Sequence, residues 1–218
     1  MNTQWFFTES CLICGVTLVS SESSDGICPR CIEEIRNAPG PFRLHIGRSP
    51  VVAAREYGGI IREALRAYKQ QGFRRIGHTL ARELLLPLAR THQQEEGFSD
   101  VIASVPAHPG NRRIRGFDQA HDLATRIAVE MDLPVERPFR RSGRTTQKSL
   151  ARTAREENAQ HAIILRRGDP GWAKRLQDRR FILIDDVVTT GATIHRCADL
   201  LEEFSAVSVA ALVLAATL

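Results

Sequence analysis

Strand-like and helix-like hydrophobic patterns alternate along the chain from residue 51 to the end. Short apolar runs predict strands at residues 51–54, 100–106, 135–139, 162–165, 181–185 and 207–215. Apolar side chains repeat at helical spacing over residues 60–68, 76–88, 120–131 and 193–204. Because the predicted strands and helices alternate, the sequence predicts an α/β fold with a mostly parallel sheet flanked by helices.

The first 40 residues contain four of the five cysteines. Cys11 and Cys14 form one C-x2-C pair, and Cys28 and Cys31 form a second pair, with 13 residues between the two pairs. Four thiolates at this spacing can surround one tetrahedral cation, so the pattern predicts a structural Zn²⁺ site. A pair of redox-active C-x-x-C motifs is the alternative, but the strand–helix context of such motifs is missing. Cys197 falls at a core position of a predicted helix.

A proline-glycine-proline sequence at residues 39–41 ends this module and marks a linker. Acidic side chains outnumber arginines within the module. A zinc module can bind nucleic acid or hold a short segment together. This charge balance favours a role in holding the segment together or in contacting another protein.

Composition places the chain among ordinary globular proteins. Its 218 residues are 43% hydrophobic and 25% charged, which excludes collagen-like, mucin-like and wholly disordered classes. The net charge of +5 is uneven, because residues 101–180 carry 17 basic and nine acidic side chains whereas residues 181–218 carry one and five. The basic excess in the middle predicts a polyanion partner such as nucleic acid or a polyphosphate.

Neither a signal peptide nor a membrane span is predicted. Residues 1–10 lack the basic and apolar regions of a signal peptide. The longest apolar run, at residues 207–218, is too short to cross a bilayer. Together with the metal-like cysteine spacing, these features predict a cytoplasmic protein without membrane insertion.

The most specific pattern is FILIDDVVTTGAT at residues 181–193. An apolar strand leads to Asp185 and Asp186, and a turn rich in threonine and glycine then opens a helix. Open α/β sheets bind ligands at the carboxyl ends of their strands, and the turn offers backbone N–H groups and hydroxyls to a phosphate. The two carboxylates suit sugar hydroxyls or a hydrated Mg²⁺. A helix N-cap would explain one acid but not the turn.

This segment resembles the phosphoribosyl-pyrophosphate (PRPP) signature of type I phosphoribosyltransferases. The resemblance implies the type I phosphoribosyltransferase fold, with PRPP and Mg²⁺ as ligands. It also implies that the two acids contact the ribose hydroxyls and that the turn binds the 5′-phosphate. The implied PRPP-binding residues are Asp185, Asp186, Val187, Val188, Thr189, Thr190, Gly191, Ala192 and Thr193.

Two further segments resemble the ComF family. Residues 105–119, VPAHPGNRRIRGFDQ, resemble its VPxH…R…RGFNQ segment, and residues 144–158, RTTQKSLARTAREEN, resemble its RxTxxQxxLxxxxRxxN loop. With the four-cysteine module, the resemblance covers nearly the whole chain. One departure is Asp118, which stands where the family usually has Asn and cannot donate a hydrogen bond when ionised.

The resemblance implies a zinc-ribbon module at residues 1–40, a hood or linker region at 41–95 and a phosphoribosyltransferase core at 96–218. The implied pyrophosphate-side and flexible-loop residues are Pro106, His108, Arg112, Arg113, Arg115, Gln147, Arg152, Arg155, Asn158 and Lys69. The implied catalytic residues are Asp185, Asp186, Arg112 and Arg115. For any single arginine of this set, a solvated surface position is the alternative.

Three functions remain open. The first is Mg²⁺-dependent transfer of the 5-phosphoribosyl group from PRPP to an unidentified acceptor, with release of pyrophosphate. The second is binding of single-stranded DNA or of competence machinery, because ComF relatives are associated with DNA uptake in natural transformation. Only 13 aromatic residues are available for base stacking, which weakens DNA binding as the sole function. The third is a PRPP sensor without turnover.

Overall fold

The computed structural model describes residues 9–18, 25–70, 73–96, 101–107, 109–141, 163–166, 174 and 176–218. Its strands are β1 (Phe42–Ile46), β2 (Ser49–Glu56), β3 (Val101–Ser104), β4 (Val135–Glu136), β5 (Phe139–Arg141), β6 (Ile163–Leu165), β7 (Arg180–Val188) and β8 (Ser208–Ala216). Its α-helices are α1 (Pro29–Asn37), α2 (Gly59–Tyr68), α3 (Ile76–Leu80), α4 (Leu86–Glu96), α5 (Pro109–Arg115), α6 (Gln119–Met131) and α7 (Ala192–Glu202).

Six strands form the main sheet in the order β1-β2-β8-β7-β3-β4. All neighbours in this sheet are parallel except β1 and β2, which form an antiparallel hairpin at one edge. Strands β5 and β6 pair with each other in a separate antiparallel sheet. The predicted α/β fold with a mostly parallel, helix-flanked sheet is confirmed.

Both faces of the sheet are covered, which explains why its central strands are continuous apolar runs. Successive side chains of a strand point to opposite faces. Ile182 and Ile184 of β7 therefore pack in one core cluster with residues of α2, α3, α4 and α6. Phe181 and Leu183 pack in the other cluster with residues of α7 and β6.

The helix predicted at residues 76–88 is longer and less regular than its spacing indicates. It runs through α3, a π-helical turn at Ala81–Leu85 and α4 as far as Glu96. Pro87 lies just after the π turn and has no N–H to donate to the preceding turn. A π turn next to such a position accommodates the interrupted hydrogen-bond pattern.

The N-terminal module packs against this irregular helix and extends the core. Ile27 and Ile35 are fully buried in the same cluster as residues of α2 and α4. The predicted boundaries at residues 40 and 95 stay predictions, and β2 of the predicted hood region pairs with β8 of the predicted core. Among the residues described, none of the helices combines the length and the apolar character needed to cross a bilayer.

Candidate functional site

The two predicted acids lie in the last half of β7, next to the turn that leads into α7. The backbone N–H of Asp186 donates to Asp185 Oδ1 over 2.8 Å, and the N–H of Val187 donates to Asp186 Oδ1 over 2.7 Å. Burial raises the pKa of the Asp185 carboxyl well above its usual range, and the adjacent charge of Asp186 raises it further. This pair is a site where a cation or a ligand hydroxyl would relieve the repulsion.

Lys69 supplies a positive charge to this pair. It follows the last residue of α2, and its Nζ lies 2.7 Å from Asp186 Oδ2. The resemblance placed Lys69 on the pyrophosphate side, whereas the structure brings its ammonium directly to the acid pair. A cation that binds Asp186 would therefore compete with Lys69 for the same oxygen.

A cavity of about 180 Å³, here called the acid-pair cavity, opens beside the two carboxylates. Its lining residues come from the loop after β3 and from α5, α6, β5, β7 and α7. They are Val105, Pro106, Ala107, Asn111, Arg115, Gln119, Ala120, Arg141, Asp185, Asp186 and Thr193. The cavity therefore combines two acids from β7 with one arginine from α5 and one from β5.

Gln119 is the polar residue of this cavity with an unused donor. Its side chain is 2% exposed, and Arg115 Nη1 donates to its Oε1 over 3.0 Å. Its Nε2 has no hydrogen-bond partner in the part of the chain that the structure describes. A buried amide donor without a partner is costly, so a ligand oxygen in this cavity would stabilise it.

Arg141 lies at the end of β5 and forms a wall of the cavity. Its Nε donates to the backbone oxygen of Pro106 over 3.0 Å, which ties the loop after β3 to β5. Burial lowers the pKa of the Arg141 guanidinium, although an arginine remains charged at any physiological pH. No local pattern marks Arg141, because only the fold brings it into one cavity with Asp185 and Asp186. Gln119 belongs to the predicted segment, but its role was not predicted.

The conformation of the turn rich in threonine and glycine requires glycine at position 191. Gly191 caps α7 with φ +74°, in the left-handed region that favours glycine. A Cβ added there would lie 2.2 Å from Ile46 Cδ1, so any other residue would have to displace the Ile46 side chain. Thr189 and Thr190 are exposed before the first turn of α7, where free backbone N–H groups favour an anion.

The predicted arginine segment divides between two cavities. Arg115 lines the acid-pair cavity, whereas Arg112 and Arg113 line a second one, here called the arginine cavity. The arginine cavity is lined by Ser104, Pro106, Ala107, Arg112, Arg113, Asp118, Arg137, Phe139, Arg140, Arg141 and Arg166. The predicted residues His108, Gln147, Arg152, Arg155 and Asn158 lie outside the described residues.

Asp118 acts as an acceptor in the structure. It is the N-cap of α6, where its Oδ1 accepts from the backbone N–H of His121 over 3.3 Å. Its Oδ2 lies 3.4 Å from Nη2 of Arg137. Both contacts use oxygens, so Asp satisfies them at the position where the ComF family usually has Asn.

The four N-terminal cysteines form one cluster, with their sulfur atoms within 4.8 Å of one another. Cys11 and Cys31 have sulfur atoms 3.9 Å apart, and those of Cys14 and Cys28 are 3.7 Å apart. Tetrahedral zinc with bonds of about 2.3 Å places its sulfur ligands about 3.8 Å apart. Burial raises the pKa of Cys11, but backbone hydrogen bonds outweigh it and hold that pKa at about 7. The cluster can therefore bind a metal ion such as zinc.

A family model and two proteins of known name match this chain in sequence. A family model described as phosphoribosyl transferase domain matches residues 115–218. Over 222 residues the chain is 26% identical to competence protein F of Haemophilus influenzae, covering 91% of this chain and 93% of that protein. Over 196 residues it is 25% identical to DNA utilization protein YhgH of Escherichia coli, covering 87% and 83%. Purine phosphoribosyltransferase from Pyrococcus horikoshii aligns with 61% of this chain and 69% of its own, at 18% identity and a TM-score of 0.38.

Proposed function

We propose that this chain, a homologue of competence protein F with a phosphoribosyl transferase domain, binds PRPP with Mg²⁺ and transfers its 5-phosphoribosyl group to an acceptor. The observation that carries the proposal is the acid-pair cavity. There Asp185 and Asp186 face Arg115, Arg141 and the unused amide donor of Gln119. A ligand with both hydroxyl and phosphate groups fits this combination of acceptors and donors.

Each part of the site has a separate task in this reaction. Asp185 and Asp186 hold the ribose hydroxyls, and the turn at residues 189–193 binds the 5′-phosphate. Arg115 and Arg141 donate to the pyrophosphate, whose negative charge grows as its bond to C1 breaks. The electron pair of that bond leaves with pyrophosphate, and a lone pair of the acceptor forms the new bond to C1.

The carboxylates of the acid pair also fit a divalent cation. Hard cations such as Mg²⁺ prefer carboxylate oxygens and keep several waters, and the oxygens of Asp185 and Asp186 would hold it. When bound, Mg²⁺ would neutralise part of the charge of pyrophosphate. The role of Lys69 is to stabilise the acid pair before the ligands arrive, since its ammonium already lies on Asp186.

Calorimetric titration with PRPP and Mg²⁺ tests this function. We expect saturable binding that is lost when Mg²⁺ is omitted. The double variant Asp185→Asn/Asp186→Asn is expected to weaken binding by about 50-fold, because hydrogen bonds to charged groups are the strong ones. The control Asp199→Asn, which removes a partly exposed acid of α7 outside the cavity, is expected to bind as the unmodified protein does.

The titration also separates the possible functions. Failure of the unmodified protein to bind PRPP would refute the proposal. Binding without release of pyrophosphate, in the presence of candidate acceptors such as free nucleobases, would favour a PRPP sensor.

A second candidate function is binding of single-stranded DNA in the cytoplasm during DNA uptake. Two observations support it: the names of the two relatives, and the excess of eight positive charges in residues 101–180. Contacts with about five phosphates would make the logarithm of affinity fall with the logarithm of salt concentration at a slope of about −3.5. Fluorescence anisotropy of a labelled oligothymidine across a salt series measures this slope. Binding that is absent or insensitive to salt would exclude this function.

We also propose that the metal of the four-cysteine cluster is a structural Zn²⁺. The sulfur–sulfur distances support this assignment, since they match a tetrahedral site with four ligands and no open position. A site closed by four thiolates holds the segment together and leaves no place for a substrate.

A further inference from the structure

The arginine cavity has a concentration of positive charge that the acid-pair cavity does not explain. Six arginines line about 270 Å³ of open space, and Asp118 is the one carboxylate among the described residues around it. The six are Arg112, Arg113, Arg137, Arg140, Arg141 and Arg166. Two lie in α5, two in β5, one shortly before β5 and one just after β6, so the cavity is assembled by the fold and not by one basic run.

Several of these guanidinium groups are held in place by the protein. Arg166 Nε donates to the backbone oxygen of Phe139 over 3.0 Å, and Arg141 Nε donates to that of Pro106. Arg137 is held by its contact with Asp118. An arginine has five N–H donors, so each anchored group has further donors for a ligand. Anchored arginines lose less conformational entropy on binding than free surface side chains.

The arginines also destabilise one another in the absence of an anion. Burial lowers the pKa of the Arg166 guanidinium, and the charges of Arg137, Arg112 and Arg140 lower it further. The same clustered charges produce a strongly positive electrostatic potential in the cavity. An anion bound among these groups would relieve the repulsion and gain several charge-assisted hydrogen bonds.

The arginine cavity is separate from the proposed PRPP site. The two cavities share only Pro106, Ala107 and Arg141. Asp185 and Asp186 line only the acid-pair cavity, and Arg140 and Arg166 line only the arginine cavity. The shared residues form a wall between them, so two ligands can be bound side by side.

We propose that the arginine cavity binds the phosphate of a second ligand, either a free nucleotide or the backbone of a nucleic acid strand. An arginine guanidinium can donate two parallel hydrogen bonds to two oxygens of one phosphate. Several guanidinium groups around one open cavity therefore suit a phosphate ligand better than a ligand with a single carboxylate. This site is additional to the proposed PRPP site and does not depend on transfer taking place.

The test compares the double variant Arg140→Gln/Arg166→Gln with the control Arg62→Gln/Arg179→Gln, which removes two exposed arginines away from both cavities. The probes are thymidine 5′-monophosphate, followed by calorimetry, and a 3′-labelled oligothymidine with a 5′-hydroxyl, followed by anisotropy. We expect Arg140→Gln/Arg166→Gln to weaken at least one probe by about 10-fold or more, and the control by less than about 2-fold. Titration with PRPP and Mg²⁺ should give the same affinity in both double variants.

The two probes separate the sources of the phosphate. Binding of the monophosphate assigns the cavity to nucleotides, and binding of the oligonucleotide alone assigns it to strand phosphodiesters. The proposal is overturned when neither probe binds, or when Arg140→Gln/Arg166→Gln binds the probes as tightly as the control does. It is also overturned when PRPP displaces a probe whose affinity is unchanged in Arg140→Gln/Arg166→Gln. Should the double variant unfold, the single variant Arg140→Gln, an exposed change on β5, is expected to weaken the same probe while the control does not.

Discussion

Removal of the metal from the four-cysteine cluster is expected to unfold the N-terminal module and to lower the thermal unfolding midpoint of the whole chain by about 10 °C or more. In zinc-finger peptides, binding of a structural zinc contributes about 10–16 kcal/mol, and it is the source of their folding free energy. The described part of the module, residues 9–18 and 25–40, has few buried apolar residues of its own, chiefly Ile27, Ile32 and Ile35. These three belong to the larger core cluster, so unfolding the module would expose the neighbouring helices too.

Polar contacts connect the module to α3 and the π turn, and these would be lost with it. Asp25 accepts hydrogen bonds from Thr79 over 2.7 Å and pairs with His78 over 2.8 Å. Arg36 pairs with Glu83 over 2.7 Å, and this hydrogen bond lowers the pKa of the Glu83 carboxyl. Loss of the metal would therefore affect stability well beyond residue 40.

Metal analysis of the purified protein, followed by thermal unfolding with and without a zinc chelator, measures the effect. We expect one zinc per chain, and recovery of the midpoint on addition of Zn²⁺ but not of Mg²⁺. Cys31→Ser should lose the metal. Cys197→Ala, which removes a buried cysteine outside the cluster, should keep one zinc per chain although it leaves a core cavity. A protein that keeps its midpoint after complete removal of the metal would contradict a structural role.

The central strands β7 and β8 were predictable because their runs of apolar residues match their buried position in the sheet. Four consecutive buried residues in β7 and a nine-residue apolar β8 give the same signal in the sequence as in the fold. The edge strand β1 alternates half-buried and exposed positions and contains Arg43 and His45, so it has no apolar run to find. Helix α1 begins at Pro29, between the second pair of cysteines. A proline within a C-x2-C pair is also typical of a turn, so the sequence did not predict a helix there. The homologues confirm the predicted resemblance to the ComF family.

The site was predictable where it is local in sequence and not where distant elements meet. Asp185, Asp186 and the following turn form one continuous segment, so their proximity follows from the motif alone. The contact between Lys69 and Asp186 depends on how α2 packs on the sheet. The separation of Arg115 from its neighbours Arg112 and Arg113 depends on the direction of α5, which local spacing does not determine.

One buried charge network holds several of these elements together. Asp122 of α6 is 6% exposed and accepts hydrogen bonds from the Tyr68 hydroxyl over 2.9 Å and from Arg126 Nε over 2.9 Å. Arg74 also donates to it, and the Arg74 guanidinium lies over the Phe117 ring at 5.3 Å from the centroid. The network joins the end of α2, just before Lys69, to the first turn of α6, which carries Gln119. Asp122 therefore supports both the stability of the fold and the geometry of the acid-pair cavity.

Asp122→Ala is expected to lower the free energy of unfolding by about 2 kcal/mol, because it removes the charged acceptor of Arg74, Arg126 and the Tyr68 hydroxyl, of which the hydroxyl keeps the backbone oxygen of Gln119 as an acceptor. Urea unfolding measures the change, and Glu130→Gln, which alters an exposed acid of the same helix, should differ from the unmodified protein by less than about 0.5 kcal/mol.

Burial alone would raise the pKa of Asp122, but hydrogen bonds from Arg126 and Arg74 lower it below its usual value. A carboxylate with a depressed folded pKa stabilises the protein at neutral pH, and this contribution is lost as the pH falls through that pKa. The difference between the unmodified protein and Asp122→Ala should therefore shrink below about pH 4. A difference that is small at neutral pH, or that does not change with acid, would contradict this role for Asp122.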